Sequence, residues 1–378
     1  MSRFVYADNA ATTKVSPAVL KEMMPYFGEE YGNPSSLYSK GRTASLAVAG
    51  ARERIAKVLG AKPNEIFFTS CGSEADNWAI LSGARAASAK GGHVISSQAE
   101  HDAVRRALDE LERRGWEVTR LAPDETGAVP VSAVLDALRP ETKLVSLMLV
   151  NNETGAVTDI AGVSRALKKA GSQALLHCDA VQGFMKLPFT AKSLGADLVS
   201  VSGHKIHAPK GIGALYIRAG LHLAPLIVGG SQEEGRRAGT EAMPNICAFG
   251  EAARLARELM AESSRRMAAL RASTAERLLA ENPGLVVIGG GAPHILCISL
   301  PGYRSEVLMN FLEARSVSLS RSSACKKGGR SHVLEAMRLP APVIDGALRL
   351  GLSRYTTAAE LDAFCAFLRE ARESLAHS

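Results

Sequence analysis

Asp197-Leu198-Val199-Ser200-Val201-Ser202-Gly203-His204-Lys205 decides the architecture. The first five residues form an apolar run that reads as a buried strand, and the polar turn after it ends on a lysine. A glycine-rich turn, Ala208-Pro209-Lys210-Gly211-Ile212-Gly213, leads into a second apolar run, Ala214-Leu215-Tyr216-Ile217. Open α/β sheets keep their reactive groups at the carboxyl ends of strands. A lysine there, with hydroxyl and imidazole neighbours, can form a Schiff base with an aldehyde cofactor. Most lysines after a strand are simply solvated, so the tetrapeptide 202–205 needs support from elsewhere.

Working outward, strand and helix alternate from about residue 63 to 217. Ile66-Phe67-Phe68-Thr69 precedes a helix from Ser73 to Lys90, and Val94-Ile95-Ser96 precedes one from about His101 to Arg114. Leu144 to Val150 is a seven-residue apolar strand, followed by a helix from Asp159 to Ala170 and a strand at Ala174-Leu175-Leu176-His177-Cys178. Continuous rather than alternating apolar strands imply burial on both faces. The β–α alternation predicts a mostly parallel sheet flanked by helices. Near Met243 the pattern changes. A long helix runs to about Glu281 and stops at Asn282-Pro283-Gly284. Strands at 285–288, 295–300 and 347–352 follow, with helices at 305–314, 331–337 and 357–373, the last capped by Thr356 or Thr357. This part reads as a smaller α+β domain.

Composition narrows the class. The chain has 378 residues, 46% of them hydrophobic, enough for a substantial core. No apolar run approaches the roughly 20 residues of a membrane span. The N-terminus reads as neither a signal nor a transit peptide, so the cytoplasm is the expected compartment. The net charge of +7 is dispersed, and aromatics make up only 5%. Stacking platforms for nucleic acid need aromatics beside basic grooves, so direct nucleic-acid binding is not expected. Six cysteines stand at 71, 178, 247, 297, 325 and 365, with no CxxC pair. A compact zinc or iron–sulfur motif is therefore not expected. Cys247, Cys297 and Cys365 lie in apolar runs and read as core thiols.

Polar clusters stand at successive strand ends. The first is Thr69-Ser70-Cys71-Gly72-Ser73-Glu74, small residues that open a helix and can hold a phosphate. Its plain alternative is a helix cap by Ser73. The next is Gln98-Ala99-Glu100-His101, whose imidazole suits acid–base work or ring stacking, or a structural role. Asn151-Asn152-Glu153-Thr154-Gly155 follows, read either as site amides or as a turn. His177-Cys178-Asp179-Ala180-Val181-Gln182 offers a carboxylate for a pyridinium nitrogen, with Gln182 three residues on, or else a helix cap. Ser202, His204 and Lys205 complete the series. Five such clusters in succession supply a phosphate cradle, a ring-facing histidine, an amide, an acid and an amine. Pyridoxal phosphate needs those groups.

Asp8-Asn9-Ala10-Ala11-Thr12-Thr13, Gly32-Asn33-Pro34-Ser35-Ser36, Glu100-His101, Val150-Asn151-Asn152-Glu153, Asp179-Ala180-Val181-Gln182 and Ser202-Gly203-His204-Lys205 together resemble the cysteine desulfurases. These belong to the class V aminotransferase family of fold-type I pyridoxal phosphate enzymes. The match runs in order to Leu348-Arg349-Leu350-Gly351-Leu352-Ser353. The resemblance implies a large cofactor-binding domain at 14–255. It implies a small domain of 1–13 and 256–378, carrying a cysteine loop at about 320–331. It makes Lys205 the Schiff-base lysine and His101 the ring-stacking proton shuttle. Asp179 would hold the pyridine nitrogen, and Asn151 and Gln182 the phenolic-oxygen side, with Asn151 also near substrate. Gly72, Ser73, Ser202 and His204 would bind the phosphate, and Thr240 would reach the phosphate of a neighbouring subunit in a homodimer. Arg349 would pair with the substrate carboxylate.

Within that superfamily Cys325 points to the reaction. It lies in Ser322-Ser323-Ala324-Cys325-Lys326-Lys327-Gly328-Gly329-Arg330, similar to the desulfurase Ser-Ala-Cys loop, where neighbouring bases favour thiolate. The implied activity turns L-cysteine into L-alanine and leaves sulfur on Cys325 as a persulfide for an acceptor protein. An iron–sulfur scaffold or a tRNA-thiolation enzyme would both fit as acceptor. A selenocysteine lyase or an aminotransferase on the same scaffold is the alternative. The segment 229–240 departs from the family pattern at Glu234 and Ala238, and Cys71 stands where glycine is more usual.

Overall fold

The structure is a computed structural model and describes residues 4–321 and 329–375, so Cys325 lies outside the described residues. The chain opens on β1 (Val5–Tyr6). A seven-stranded sheet follows, made of β2 (Ile66–Thr69), β3 (His93–Ser97), β4 (Glu117–Leu121), β5 (Thr142–Met148), β6 (Leu175–Asp179), β7 (Leu198–Ser202) and β8 (Gly213–Ile217). The order across it is β2-β8-β7-β6-β5-β3-β4. β8 is antiparallel to both its neighbours, and the remaining pairings are parallel. All strands but β8 therefore point one way, and their carboxyl ends share one rim. The expected mostly parallel sheet is present. β2, β6, β7 and β8 are buried along their whole length, as their continuous apolar runs require. β4 closes the edge half-exposed, and its sequence, Glu117-Val118-Thr119-Arg120-Leu121, mixes charge with apolar residues accordingly.

The second part holds β9 (Val286–Ile288), β10 (Ile295–Ser299), β11 (Val317–Ser318), β12 (Ser320–Arg321) and β13 (Ala347–Gly351). An antiparallel sheet has the order β12-β13-β10-β9, and β11 pairs parallel with β1. Leu296, Ile298, Leu348 and Leu350 pack with Leu308, Leu361, Phe364 and Leu368 of two helices, Ser305–Glu313 and Ala358–Ser374. Thr357 caps the latter in a box with Glu360.

Two helices connect these layers to the site. Met243–Glu281 is a single helix whose first part, to Ala256, sits in the large core, while Met267 and Leu278 sit in the small one. Ser39–Leu59 packs along its first half. Its buried face includes Gly41, Ala44 and Ala51, and a Cβ on Gly250 would come 2.8 Å from Ala51 Cα. The helix expected from Ser73 to Lys90 ends earlier and is not uniform: Gly72–Asn77 is α, Trp78–Ser82 is a π turn and Gly83–Ala87 is α again, before Ser88 turns extended.

The N-terminal segment bridges both sheets. Asn9 Nδ2 donates to Gly351 O at 2.9 Å, and Asp8 bridges to the same residue. A Cβ on Gly351 would fall 2.3 Å from Ala10 N, so this crossing needs glycine. Residues 8–13 are thereby held across the rim, against the turn that follows β7.

Candidate active site

At the end of β7, Lys205 Nζ donates to Ala10 O at 2.7 Å and Ala11 O at 2.8 Å. Thr13 Oγ1 donates to His204 O, and His204 Nδ1 lies 3.2 Å from Thr12 Oγ1. Burial first, then the charges of Lys205 and Lys210, pushes the His204 pKa down to about 4. Its imidazole is neutral at pH 7. Ser202 Oγ is buried with no hydrogen-bond partner.

At the end of β2, Cys71 takes the N-cap position and Gly72 begins the helix. Ser73 therefore lies inside the first turn and is not the cap. Cys71 makes no side-chain cap bond. A Cβ on Gly72 would fall 2.7 Å from Val181 Cγ2 and 3.4 Å from Ser202 Cβ, so this turn packs closely on the ends of β6 and β7. Ser70 N donates to Glu74, whose carboxylate also takes Arg237 Nε at 2.8 Å.

At the end of β3, His101 caps the helix Asp102–Arg113, its Nδ1 accepting from Ala103 N at 3.1 Å. Nε2 remains for the cavity that the ring lines. Asp179, the last residue of β6, is buried and accepts from Val181 N at 2.9 Å. Burial raises its pKa, while His101 and Lys205 pull it down.

These groups surround one cavity of about 320 Å³. Gly72, Ser73, His101, Asp179, Gln182, Ser202, His204, Lys205 and Arg349 all line it, from five segments of the chain. Arg349, on β13, is the contribution of the small sheet. Its Nη2 donates to Asp8 Oδ1 and its Nη1 to Asn152 O, both at 2.9 Å. Its Nε is buried without a partner. A larger depression of about 580 Å³ lies at the opposite rim of the sheet, where Arg218 is already paired with Asp197 at 2.6 Å. It gathers no comparable set of reactive groups.

Two sequence-predicted residues stand apart from the cavity wall. The Asn151 carboxamide is fully engaged in its own turn: Nδ2 donates to Ala99 O, and Oδ1 accepts from Glu153 N, Thr154 N and Thr154 Oγ1. The lining residue is Asn152 instead. Thr240 is exposed and lies outside this cavity. Of the two glutamates before it, Glu234 is exposed, while Glu233 is buried in a two-pronged pair with Arg52 at 2.7 Å. Both adopt positive φ, 49° and 58°.

Sequence reasoning passed over the acids beneath the cavity. Asp76 lines its wall, and burial together with Asp179 raises its pKa well above the usual range. Burial and then Asp179 push Glu100 up to about 8. Glu100 Oε1 accepts from Met148 N, while Oε2 has no partner, so no cation offsets the burial. A carboxyl group that keeps its proton in the fold stabilises it fully below the unfolded pKa near 4.3. That contribution is lost as pH rises toward 8. Glu100→Gln mimics the neutral acid. Its urea stability, relative to the parent, will therefore improve by a few kcal/mol between pH 5 and pH 8. A constant difference across that window would show that Glu100 is ionised.

A family model described as aminotransferase class-V matches residues 5–364. "Cysteine desulfurase 2" of Trichormus variabilis is 43% identical over 95% of this chain and 90% of its own length. "Cysteine desulfurase IscS" of Methanosarcina thermophila is 41% identical over 96% of this chain and 90% of its own length. The chain belongs to the cysteine desulfurases of the class-V aminotransferase family. A solved NifS-like protein superposes with a TM-score of 0.93 at 37% identity, covering 99% of this chain and all of the other. A second solved relative, SspA in complex with cysteine, covers 93% of this chain at 32% identity with a TM-score of 0.81. The class-V family is pyridoxal-phosphate-dependent, and the strand-end cavity lies inside the matched region. Among the described residues no group of side chains is arranged to hold a metal ion, and no helix is long and apolar enough to cross a membrane.

Proposed function

We propose that this chain is a pyridoxal-phosphate-dependent cysteine desulfurase that converts L-cysteine to L-alanine and carries the sulfur on Cys325 to an acceptor protein. One observation carries the reading: Lys205, Asp179, His101, Ser202 and Arg349 converge on a single cavity. The cavity fits the cofactor. Ser202 Oγ is an unpartnered buried hydroxyl beside the close-packed Gly72 turn, where a phosphate would sit. Asp179 is a buried carboxylate held by a backbone donor, suited to a pyridinium nitrogen.

Lys205 would hold the cofactor through its amine, and the same amine, when free, would take the substrate's Cα proton. Asp179 would hold the cofactor's ring nitrogen in its protonated form. When bound, the cofactor acts as an electron sink for the substrate's Cα. Arg349 holds the substrate carboxylate through donors that Asp8 and Asn152 have already oriented. His101 exchanges protons at Nε2. The Cys325 thiolate attacks the substrate sulfur, the Cβ–S bond breaks, and sulfur stays on Cys325 as a persulfide. Cβ gains a proton and alanine leaves. The outer sulfur of the Cys325 persulfide then passes to an acceptor in iron–sulfur assembly or tRNA thiolation, in the cytoplasm.

The working unit in this reading is a homodimer in which Thr240 reaches the partner's phosphate. Large apolar side chains stand exposed through residues 20–46: Leu20, Met24, Phe27, Tyr31, Leu37, Tyr38 and Leu46. Isolated exposed apolar groups are ordinary, but such a concentration marks a contact surface. Leu37→Glu with Tyr38→Glu will convert the dimer to monomer in light scattering and weaken cofactor retention. A dimer unchanged by both substitutions would refute this interface. Uptake of pyridoxal phosphate, followed by alanine release from L-cysteine, tests the function itself; a protein that takes up no cofactor contradicts it.

A further inference from the structure

Gln182 lines the cavity three residues beyond Asp179. A carboxamide donates at one end and accepts at the other, and the end that meets a ligand decides what that ligand experiences. Two contacts, one at each end, fix the orientation, and Ala10 makes the first. Its carbonyl oxygen can only accept, and it lies 2.9 Å from Gln182 Nε2. The amide oxygen then faces His294 Nε2 at 3.3 Å.

An acceptor at that position requires the imidazole to carry its hydrogen on Nε2. Burial, with Lys186, Lys205 and Arg349 nearby, holds the His294 pKa well below the ordinary histidine range. The ring is therefore neutral, with one hydrogen to give. Nδ1 is correspondingly bare, and it is buried with no partner. Among the described residues no acceptor lies beside Nδ1 to draw the hydrogen there, whereas Nε2 has the Gln182 oxygen. The backbone of His294 is pinned by Leu352 N, which donates to its carbonyl at 2.7 Å. Ala10 O also receives Lys205 Nζ. One carbonyl thus links the amide that His294 orients to the amine that does the chemistry.

We propose that His294 is a positioning residue that locks the Gln182 carboxamide with its amino end toward the cavity, making Gln182 an obligate hydrogen-bond donor to the phenolic oxygen of the cofactor. This rests on the reading that pyridoxal phosphate binds here with that oxygen beside Gln182. With Nε2 committed to Ala10 through one hydrogen, the second remains for the ligand. Without a donor at 294 only the Ala10 carbonyl holds the amide, and its plane is free to swing the second N–H hydrogen away from the ligand.

The readout is the pH titration of the visible absorbance band of the bound cofactor. A donor to the phenolic oxygen stabilises its anionic form and lowers the apparent pKa of that band. His294→Leu and His294→Met, neither of which can donate, will raise it by about one unit, which is what one hydrogen bond to a charged group supplies. His294→Asn keeps a donor and will titrate close to the parent. Gln182→Leu will give the upward shift by itself, and adding His294→Leu to it will give no more. Parent-like titration of the folded Leu or Met variant overturns the proposal. So does the absence of a shift in Gln182→Leu, which leaves the histidine intact, or a full additional shift in the double variant. A parent protein with no visible band after exposure to pyridoxal phosphate contradicts the cofactor reading instead.

Discussion

Lys205→Ala will lose the visible cofactor band and lower alanine production from L-cysteine by at least about 10³-fold, the scale of a removed general base. The expectation follows from place and from a lack of substitutes. The chain leaves β7 through a tight turn, and residues 8–13, held by Gly351, present two carbonyls that fix the Lys205 amine over the cavity. No other lysine lines that cavity among the described residues. Lys186 is buried in a separate small pocket with Met185, Ile206 and His207. The phosphate and ring contacts proposed for Gly72, Ser202, His204 and Asp179 would not involve the amine, so the variant will still bind pyridoxal phosphate, reversibly and without the shifted absorbance. Retention of the band would assign the covalent anchor to another lysine.

Cys325→Ala will leave that band intact and still responsive to L-cysteine, but the protein will form no persulfide and release little alanine. The other thiols cannot replace it equally. Cys178, Cys247, Cys297 and Cys365 are buried. Burial also raises the pKa of Cys178, and pushes those of Cys247 and Cys365 up to about 11, away from the nucleophilic thiolate. Cys71 is the exception, because it is part-exposed and lines the cavity. It is thus the specific rival. Cys71→Ser will still yield a Cys325 persulfide, whereas persulfide surviving in Cys325→Ala and mapping to Cys71 would move the acceptor role there.

The large sheet was legible because its strands are buried on both faces and read as unbroken apolar runs. The polar residues at their ends then stood out, and the cavity is lined at each of those ends. Other elements left weaker marks. Through Ala51 the helix Ser39–Leu59 buries only Gly41, Ala44, Val48 and Ala51, small residues that make a faint stripe, and its larger buried residues, Ile55, Val58 and Leu59, come only near its end. β4 lies at the sheet edge with two charged residues in five. The carbonyls of Ala10 and Ala11 act through the backbone, which no side chain advertises. Asn151 and Asn152 are chemically identical neighbours, and only the turn geometry separates the one that builds it from the one that lines the cavity. The raised pKa of Glu100 comes from burial first and then from Asp179, far along the chain but close in the fold.

The central claim is that the cavity built around Lys205 delivers sulfur to Cys325. Its most direct test is peptide mass analysis after the cofactor-loaded protein has met L-cysteine, with thiols blocked at once and alanine counted in parallel. The account predicts one additional sulfur atom on the peptide containing Cys325, formed in step with the first equivalent of alanine. Alanine released while that peptide stays unmodified, or the added sulfur found on Cys71, would contradict it.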